Sequence, residues 1–272
     1  MKVSFPGSNE KEIKAYSNDH LPRLVETLHL VQHNTPTHGK VLEVGAKPFV
    51  LSSLLLQEGF DYAGIGVSGG EKDLRTDHEH ACRTGKASGQ KFMIALQVEE
   101  KKHDLPMYEV NIEMDMWPFP AQHFDSIIWT ETLEHLTCDP SFAWHEANKS
   151  LKLGGKLIFS VPNALYWIRA LQLLLGKNID DPYSWHGPFG RHNRLYTVKE
   201  IKKLAGLHGF ETISLTTKTF LPEHMSLVKK LVHMVITIPA LLMGKRKGKT
   251  IVAVFEKKEE SKMIERPDFL YH

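Results

Sequence analysis

From residue 40 to residue 257, strand-like apolar runs alternate with helical stretches, and no other property of this sequence narrows its fold as far. KVLEV, FDYAGIGV, FDSIIWTE, GGKLIFSVPN, ETISLTTKTF and TIVAVFEK read as strands. PFVLSSLLLQEG, DPSFAWHEANKSL and TVKEIKKLAGLHGF read as helices, the first with Pro48 near its start and Gly59 past its end. Such an order builds an α/β domain, a doubly wound and mostly parallel sheet with helices on both faces. About seven strands are expected, the last of them antiparallel.

The chain has 272 residues and is 42% hydrophobic, which suits one substantial core better than two. The expected domain runs over 20–257, behind an N-terminal segment 1–19 and ahead of a charged, mobile tail 258–272. Leu21, Leu24, Val25, Leu28 and Val31 mark a helix at its start. Residues 68–90 read as a long polar loop, 164–196 as an insertion serving as a substrate lid, and 222–247 as a helical insertion broken by Pro239. A net charge of +2 gives no global field that would draw DNA or RNA. Cys82 and Cys138 form neither a CxxC pair nor a disulfide framework, so a reducing, cytoplasmic setting is expected. The first residues lack the apolar core of a signal peptide, and no uncharged apolar run reaches the roughly 18 to 20 residues that span a bilayer.

In a doubly wound sheet the ligand sits beyond the carboxyl ends of the strands, which makes the first strand-to-helix turn, VLEVGAKPF, the place to examine. Gly45 permits a tight turn and a close backbone approach, and Glu43 offers a carboxylate. Lys47 and Phe49 stand where further glycines would admit a pyrophosphate, so a nucleoside cofactor without phosphates fits better than a dinucleotide. A purely structural turn remains the alternative.

Taken together, VLEVGAKP, NIEMDMWPFPAQHFDSIIWTETLEHL and LKLGGKLIFSVPN resemble, in order and spacing, the motifs of class I S-adenosylmethionine-dependent methyltransferases over about 40–210. NIDDPYSWHGPFGRHNRLYT is similar to the signature of a bacterial branch associated with surface-polysaccharide biosynthesis. The resemblance implies a Rossmann-like fold and S-adenosylmethionine as cofactor. It implies that Glu43, Gly45 and Ala46 face the methionine and ribose, and that Gly66 and Thr130 lie along the cofactor. It further implies that Asp115 accepts from the adenine amino group beside the Met116 backbone. Family members commonly carry an acidic residue where this chain has Gly66, and Glu71 and Asp73 stand close enough in sequence to replace it. The implied reaction is O-methylation of a small-molecule or glycan acceptor, nucleotide- or lipid-linked. The competing readings are an RNA 2′-hydroxyl, a quinone-type phenol, or a non-catalytic protein that keeps the fold, the last motivated by Lys47, Phe49 and Gly66.

Methyl transfer is an in-line displacement at a sulfonium, so the protein must orient the acceptor and take its proton. On a helix, Glu131, Glu134 and His135 of TETLEHL would share one face at the end of the fourth strand. Glu131, His135 and His192, the last from the glycine-hinged loop GPFGRHNRLYT, are therefore the candidate catalytic residues, with structural bracing as the alternative. Arg191, Arg194 and Tyr196 of that loop are candidates for acceptor binding, since guanidinium groups pair bidentately with phosphoryl oxygens. Glu131, Glu134, His135 and His192 also form a candidate divalent-metal set. TETLEHL resembles a segment of small-RNA 2′-O-methyltransferases in which such a set holds the acceptor hydroxyls. Finally, ALYWIRALQLLLG and MSLVKKLVHMVITIPALLMGKRKGK are strongly apolar. Lys229, Lys230, Lys245, Arg246 and Lys247 flank the second, as in a helix lying peripherally on an anionic membrane; a lid or core helix is the alternative.

Overall fold

The computed structural model describes residues 3–66, 89–184, 187–222, 224–237, 248–262 and 266–271. Most of the polar stretch 68–90, with Glu71 and Asp73, lies outside the described residues, as do Trp185, Pro239, Lys245, Arg246 and Lys247.

After a short strand β1 (Val3–Ser4), helix α1 (Glu10–Asn34) starts at Asn9, whose side chain accepts from the Lys11 amide, with Glu10 and Glu12 favouring the positive end of the helix dipole. The boundary expected after residue 19 thus falls inside a helix, because the chain continues helically through Pro22. Strand β2 (Lys40–Val44), helix α2 (Val50–Gln57) and strand β3 (Asp61–Gly66) form the first parallel unit. The hairpin β4 (Lys91–Val98) and β5 (Lys101–Glu109) follows, then β6 (Phe124–Thr130), a 3-10 turn at Leu133–His135, α3 (Ser141–Ser150) and β7 (Leu151–Pro162). Helix α4 (Trp167–Leu174), α5 (Val198–Leu207), β8 (Phe210–Lys218), α6 (Leu227–Thr237) and β9 (Thr250–Lys257) complete the chain.

All nine strands join one sheet in the order β1-β4-β5-β3-β2-β6-β7-β9-β8. Strands β5, β3, β2, β6 and β7 are mutually parallel, while β9 runs antiparallel to both β7 and β8. The doubly wound plan and its antiparallel last strand are therefore as expected. Two strands exceed the expected count: β4 pairs antiparallel with β5 over Lys91–Val98, and β1 closes that edge through Val3 and Val98.

The pleat sends alternate residues to opposite cores. Leu42, Ile127 and Leu157 face one layer with α3 and α5, where Trp129, Trp144 and Phe159 pack at tilted and edge-to-face angles with ring centroids 5.4–6.0 Å apart. Val41, Ile128 and Ile158 face the other, against Leu24 and Val31 of α1 and Leu51 and Leu55 of α2. Helix α5 begins with a capping box between Thr197 and Glu200, which fixes where the preceding loop ends.

The tail differs from expectation. Asn148, fully buried, donates to the Glu259 carbonyl at 3.0 Å and accepts from the Ser261 amide at 3.0 Å, and Phe269 and Leu270 pack on the core. A buried amide that needs partners and two apolar side chains hold in place a segment that charge alone made look mobile.

Candidate active site

The first turn is shaped by glycine. Gly45 has φ +75°, its amide donates to Ile65 O at 2.9 Å, and any Cβ there would overlap Thr132 Oγ1. Gly66 stands opposite, where an added Cβ would meet only Gly45 Cα at 3.9 Å. Two glycines thus form the floor of a cleft of about 690 Å³, walled by Ala46, Phe49, Phe92, Ile94, Met107, Val110 and Ile112, and by Glu131, Thr132 and His135 on the far side. The apolar walls suit a flat heterocycle, and the open glycine floor suits a ribose and its thioether chain.

Several expected cofactor residues do not reach this cleft. Glu43 is buried in a polar knot, accepting from Ser52 Oγ at 2.6 Å and Tyr62 OH at 2.7 Å, and burial pushes its carboxyl up to about 7. Asp115 turns back to accept from the Asn111 amide at 2.8 Å; Asn111, Ile112 and Glu113 line the cleft, whereas Asp115 and Met116 do not. Thr130 gives way to Thr132, whose hydroxyl donates to the Thr130 carbonyl at 3.0 Å. Gly45, Ala46 and Gly66 do line the cleft. Phe92, Ile94 and Val110, which the sequence reading did not single out, belong to the β4–β5 hairpin or its exit, a region without the helical or glycine signals that marked the other turns.

At the end of β6 the backbone breaks sharply. Glu131 takes φ +50°, a conformation that non-glycine residues hold only under constraint, and accepts from Ser160 Oγ at 2.8 Å. No helical face follows, only the single 3-10 turn. Glu131 and His135 therefore border the cleft, while Glu134 is fully buried behind them.

His192 meets that turn. Its Nε2 lies 3.8 Å from Glu134 Oε1, and His135 Nε2 lies 3.9 Å from the same oxygen. The two rings stand 5.1 Å apart, His135 Nδ1 is 2.9 Å from the Arg191 carbonyl, and His192 Nδ1 is 3.0 Å from Asp181 Oδ2. Among the described residues no other side chain or backbone group hydrogen-bonds either carboxylate oxygen of Glu134, and burial, reinforced by the negative charge of Glu131, holds its carboxyl well above the usual range. Burial also lowers His192 despite Asp181. The ligand atoms of Glu134, His135 and His192 lie within 4.8 Å of one another; Glu131, expected in the same set, is not part of that cluster and pairs with Ser160.

The loop arginines are mostly engaged. Arg194, exposed, pairs with Glu200 at 2.9 Å, and Tyr196 is buried in the core with its hydroxyl pushed up by burial, so Tyr196 forms no acceptor-binding surface. Arg191 lies over the Tyr183 ring at 4.8 Å and donates to Asn193 Oδ1 at 3.2 Å. Asn193 and buried Arg23, whose charge faces Glu131 and Glu134 from α1, are site residues that the sequence did not single out.

The profile of a methyltransferase-domain family matches residues 16–215, which is most of the chain. The chain belongs to that methyltransferase family. The enzyme is an S-adenosylmethionine-dependent methyltransferase, and the cleft over Gly45 and Gly66 fits that cofactor. Solved structures with the same fold include an S-adenosylmethionine-dependent methyltransferase from Archaeoglobus fulgidus, at 12% identity and TM-score 0.52 over 90% of this chain and 99% of that one. Another, from Thermotoga maritima, is 16% identical with TM-score 0.54 over 92% and 95%. A third, from Methanosarcina mazei, is 15% identical with TM-score 0.51 over 84% and 96%. No curated protein sequence matches the chain.

Proposed function

We propose that the enzyme methylates a hydroxyl oxygen of a sugar or glycan intermediate, nucleotide- or lipid-linked. The observation that carries this reading is the position of His135, which borders the cofactor cleft on one side and joins Glu134 and His192 on the other. When bound, S-adenosylmethionine supplies an electrophilic methyl carbon on a sulfonium. An acceptor hydroxyl entering beside His135 meets an imidazole that can take its proton, while Glu131, fixed by Ser160, presents a carboxylate at the same wall. Arg191 adds a cation near the loop for an anionic part of the acceptor.

The same cluster also supports an alternative to His135 as the base, a divalent cation held by Glu134, His135 and His192. A buried carboxylate with two unpartnered oxygens costs about 1–3 kcal/mol or more, a cost that a cation would offset. The 3.8 Å and 3.9 Å separations are about half an ångström wider than the ~3.3 Å edge of a tetrahedral site with ~2.0 Å bonds. Such an ion would hold two vicinal sugar hydroxyls and lower the pKa of one.

The test is turnover of S-adenosylmethionine with nucleotide sugars, lipid-linked sugars, catechols and RNA, with the product located by mass spectrometry. An O-methylated sugar is expected, and His135→Ala should lower its formation by about 10²- to 10⁴-fold. Methylation of catechol or RNA alone would replace the acceptor, and failure to bind S-adenosylmethionine would remove the enzymatic reading.

A further inference from the structure

Two apolar helices leave the sheet from one seam at its catalytic end. The Asn163 side chain, beyond β7, donates to Gly248 O at 2.8 Å, and its amide donates to Lys249 O at 2.8 Å. The Lys249 amide in turn donates to Thr219 Oγ1 at 3.1 Å, just past β8. The insertions carrying α4 and α6 are therefore rooted side by side, at the carboxyl ends of β7 and β8. Those ends lie on the same edge of the sheet as the carboxyl ends of β2 and β6, which carry Gly45 and Glu131.

Both helices show their apolar residues to solvent. Helix α4 has no buried residue, and Leu174 is 85% exposed, with Leu173 and Leu175 exposed beside it. On α6, Leu227, Leu231 and Met234 follow at i, i+4 and i+7, one stripe, and are 78%, 56% and 58% exposed. An exposed apolar stripe of this kind marks a surface that something covers. Charge says what. Residues 164–177 and 224–237 contain no Asp or Glu but carry Arg169, Lys177, Lys229 and Lys230, in a chain whose net charge is only +2. A second copy of the chain seated there through a twofold contact would bring each set of cations toward its own duplicate, whereas anionic headgroups complement them. No helix among the described residues is long and apolar enough to cross a membrane, which leaves a helix lying in the interface.

We propose that α4 and α6 together form a docking face for an anionic bilayer, which delivers a lipid-linked acceptor to the cleft. The identity of the acceptor rests on the O-methylation reading; the docking face does not. The leucines and Met234 enter the headgroup boundary while the lysine side chains reach the phosphates.

The test is co-sedimentation of the full chain with vesicles of phosphatidylcholine alone and with about 30% phosphatidylglycerol, at low and high salt. Binding to the anionic vesicles is expected, weaker by about tenfold or more with phosphatidylcholine alone and in the Leu174→Asp/Leu231→Asp variant, whose affinity for S-adenosylmethionine is unchanged. Lys229→Glu/Lys230→Glu, which spares the apolar stripe, should lose the salt-sensitive part. Equal binding to both vesicle types, or wild-type binding by either variant, overturns the docking face. So does a dimer in sedimentation velocity that Leu174→Asp/Leu231→Asp dissociates, without vesicle binding. Vesicle binding together with inert lipid-linked sugars supports the docking face and removes the acceptor reading instead.

Discussion

The backbone amide of Asn193 donates to the Glu134 carbonyl at 2.8 Å, and its side-chain amide donates to the His135 carbonyl at 2.8 Å. One residue of the loop that carries His192 thereby holds that loop against the turn that carries Glu134 and His135. Asn193→Ala removes this side-chain bond and the one that Asn193 Oδ1 accepts from Arg191, but keeps the backbone one. Losing a partly buried hydrogen bond of about 1 kcal/mol should lower kcat by roughly tenfold through misplacement of His192. Since Asn193 does not border the cofactor cleft, the affinity for S-adenosylmethionine should stay within about twofold. Calorimetry and initial rates on the same protein separate the two, and an equal loss in both would contradict the loop-anchoring role.

Gly45 and Gly154 share a positive φ, +75° and +77°, yet differ in surroundings. A side chain at Gly45 would overlap Thr132, whereas nothing lies within 4 Å of one at Gly154. Gly154→Ala should therefore cost only the backbone strain, about 1–2 kcal/mol, and leave cofactor binding intact. Gly45→Ala adds displacement of Thr132 at the cleft wall, so cofactor affinity should fall by at least about tenfold beyond the matched loss of stability. Thermal unfolding together with calorimetry checks both halves.

These contrasts bear on what the sequence made legible. The alternation of apolar runs and helices located β2, β3, β6 and β7, because a parallel sheet covered on both faces needs continuous apolar strands, and β-branched residues located β8 and β9. Strand β4 carries the apolar run Phe92 to Leu96, but it is joined to β5 by a tight hairpin with no helix between them, so the strand-helix alternation that marked the other strands did not mark it. The site residues failed in a different way. A motif fixes which residues occur near a turn but not which way each points: Glu43 and Asp115 are adjacent to the cleft in sequence, yet each satisfies backbone or hydroxyl donors away from it. His192 was legible as a candidate neighbour of His135 because its loop follows a glycine-containing run, and the two rings stand 5.1 Å apart.

Glu43 makes a pH-dependent contribution whose sign follows from its burial. Its carboxyl is pushed up to about 7 in the folded protein, against about 4.3 in the unfolded chain. Between those values the folded state holds the proton and the unfolded state does not, so stability is full below about pH 4.3 and is lost as pH rises toward 7. The loss is on the order of 3 kcal/mol. Glu43→Gln keeps an oxygen to accept from Ser52 and Tyr62 but has no proton to lose. Urea unfolding should show the variant gaining on the wild type from pH 5 to pH 8, with the difference constant above that. His208, pushed down to about 4 by burial, works in the opposite direction, its contribution being lost as pH falls from about 6.5, so the difference between the two proteins is the quantity to read.

The Glu134, His135 and His192 cluster separates two mechanisms by its response to metal and to one substitution. If a divalent ion completes the site, calorimetry with Zn²⁺ or Mn²⁺ should give one equivalent bound per chain. Glu134→Gln should weaken that binding by about 10²-fold or more, because a neutral amide replaces a charged ligand. Binding would also have to deprotonate Glu134, whose carboxyl burial holds well above its usual range, so affinity should climb with pH through neutrality. Exhaustive chelation would then abolish turnover, and added metal would restore it. If instead His135 acts alone as the base, the wild type binds no stoichiometric metal and chelators leave the rate unchanged. In that case Glu134→Gln alters the rate only through the packing beneath the turn. The two outcomes are exclusive, and both are read on the protein as folded, whose cleft over Gly45 is not lined by Glu134.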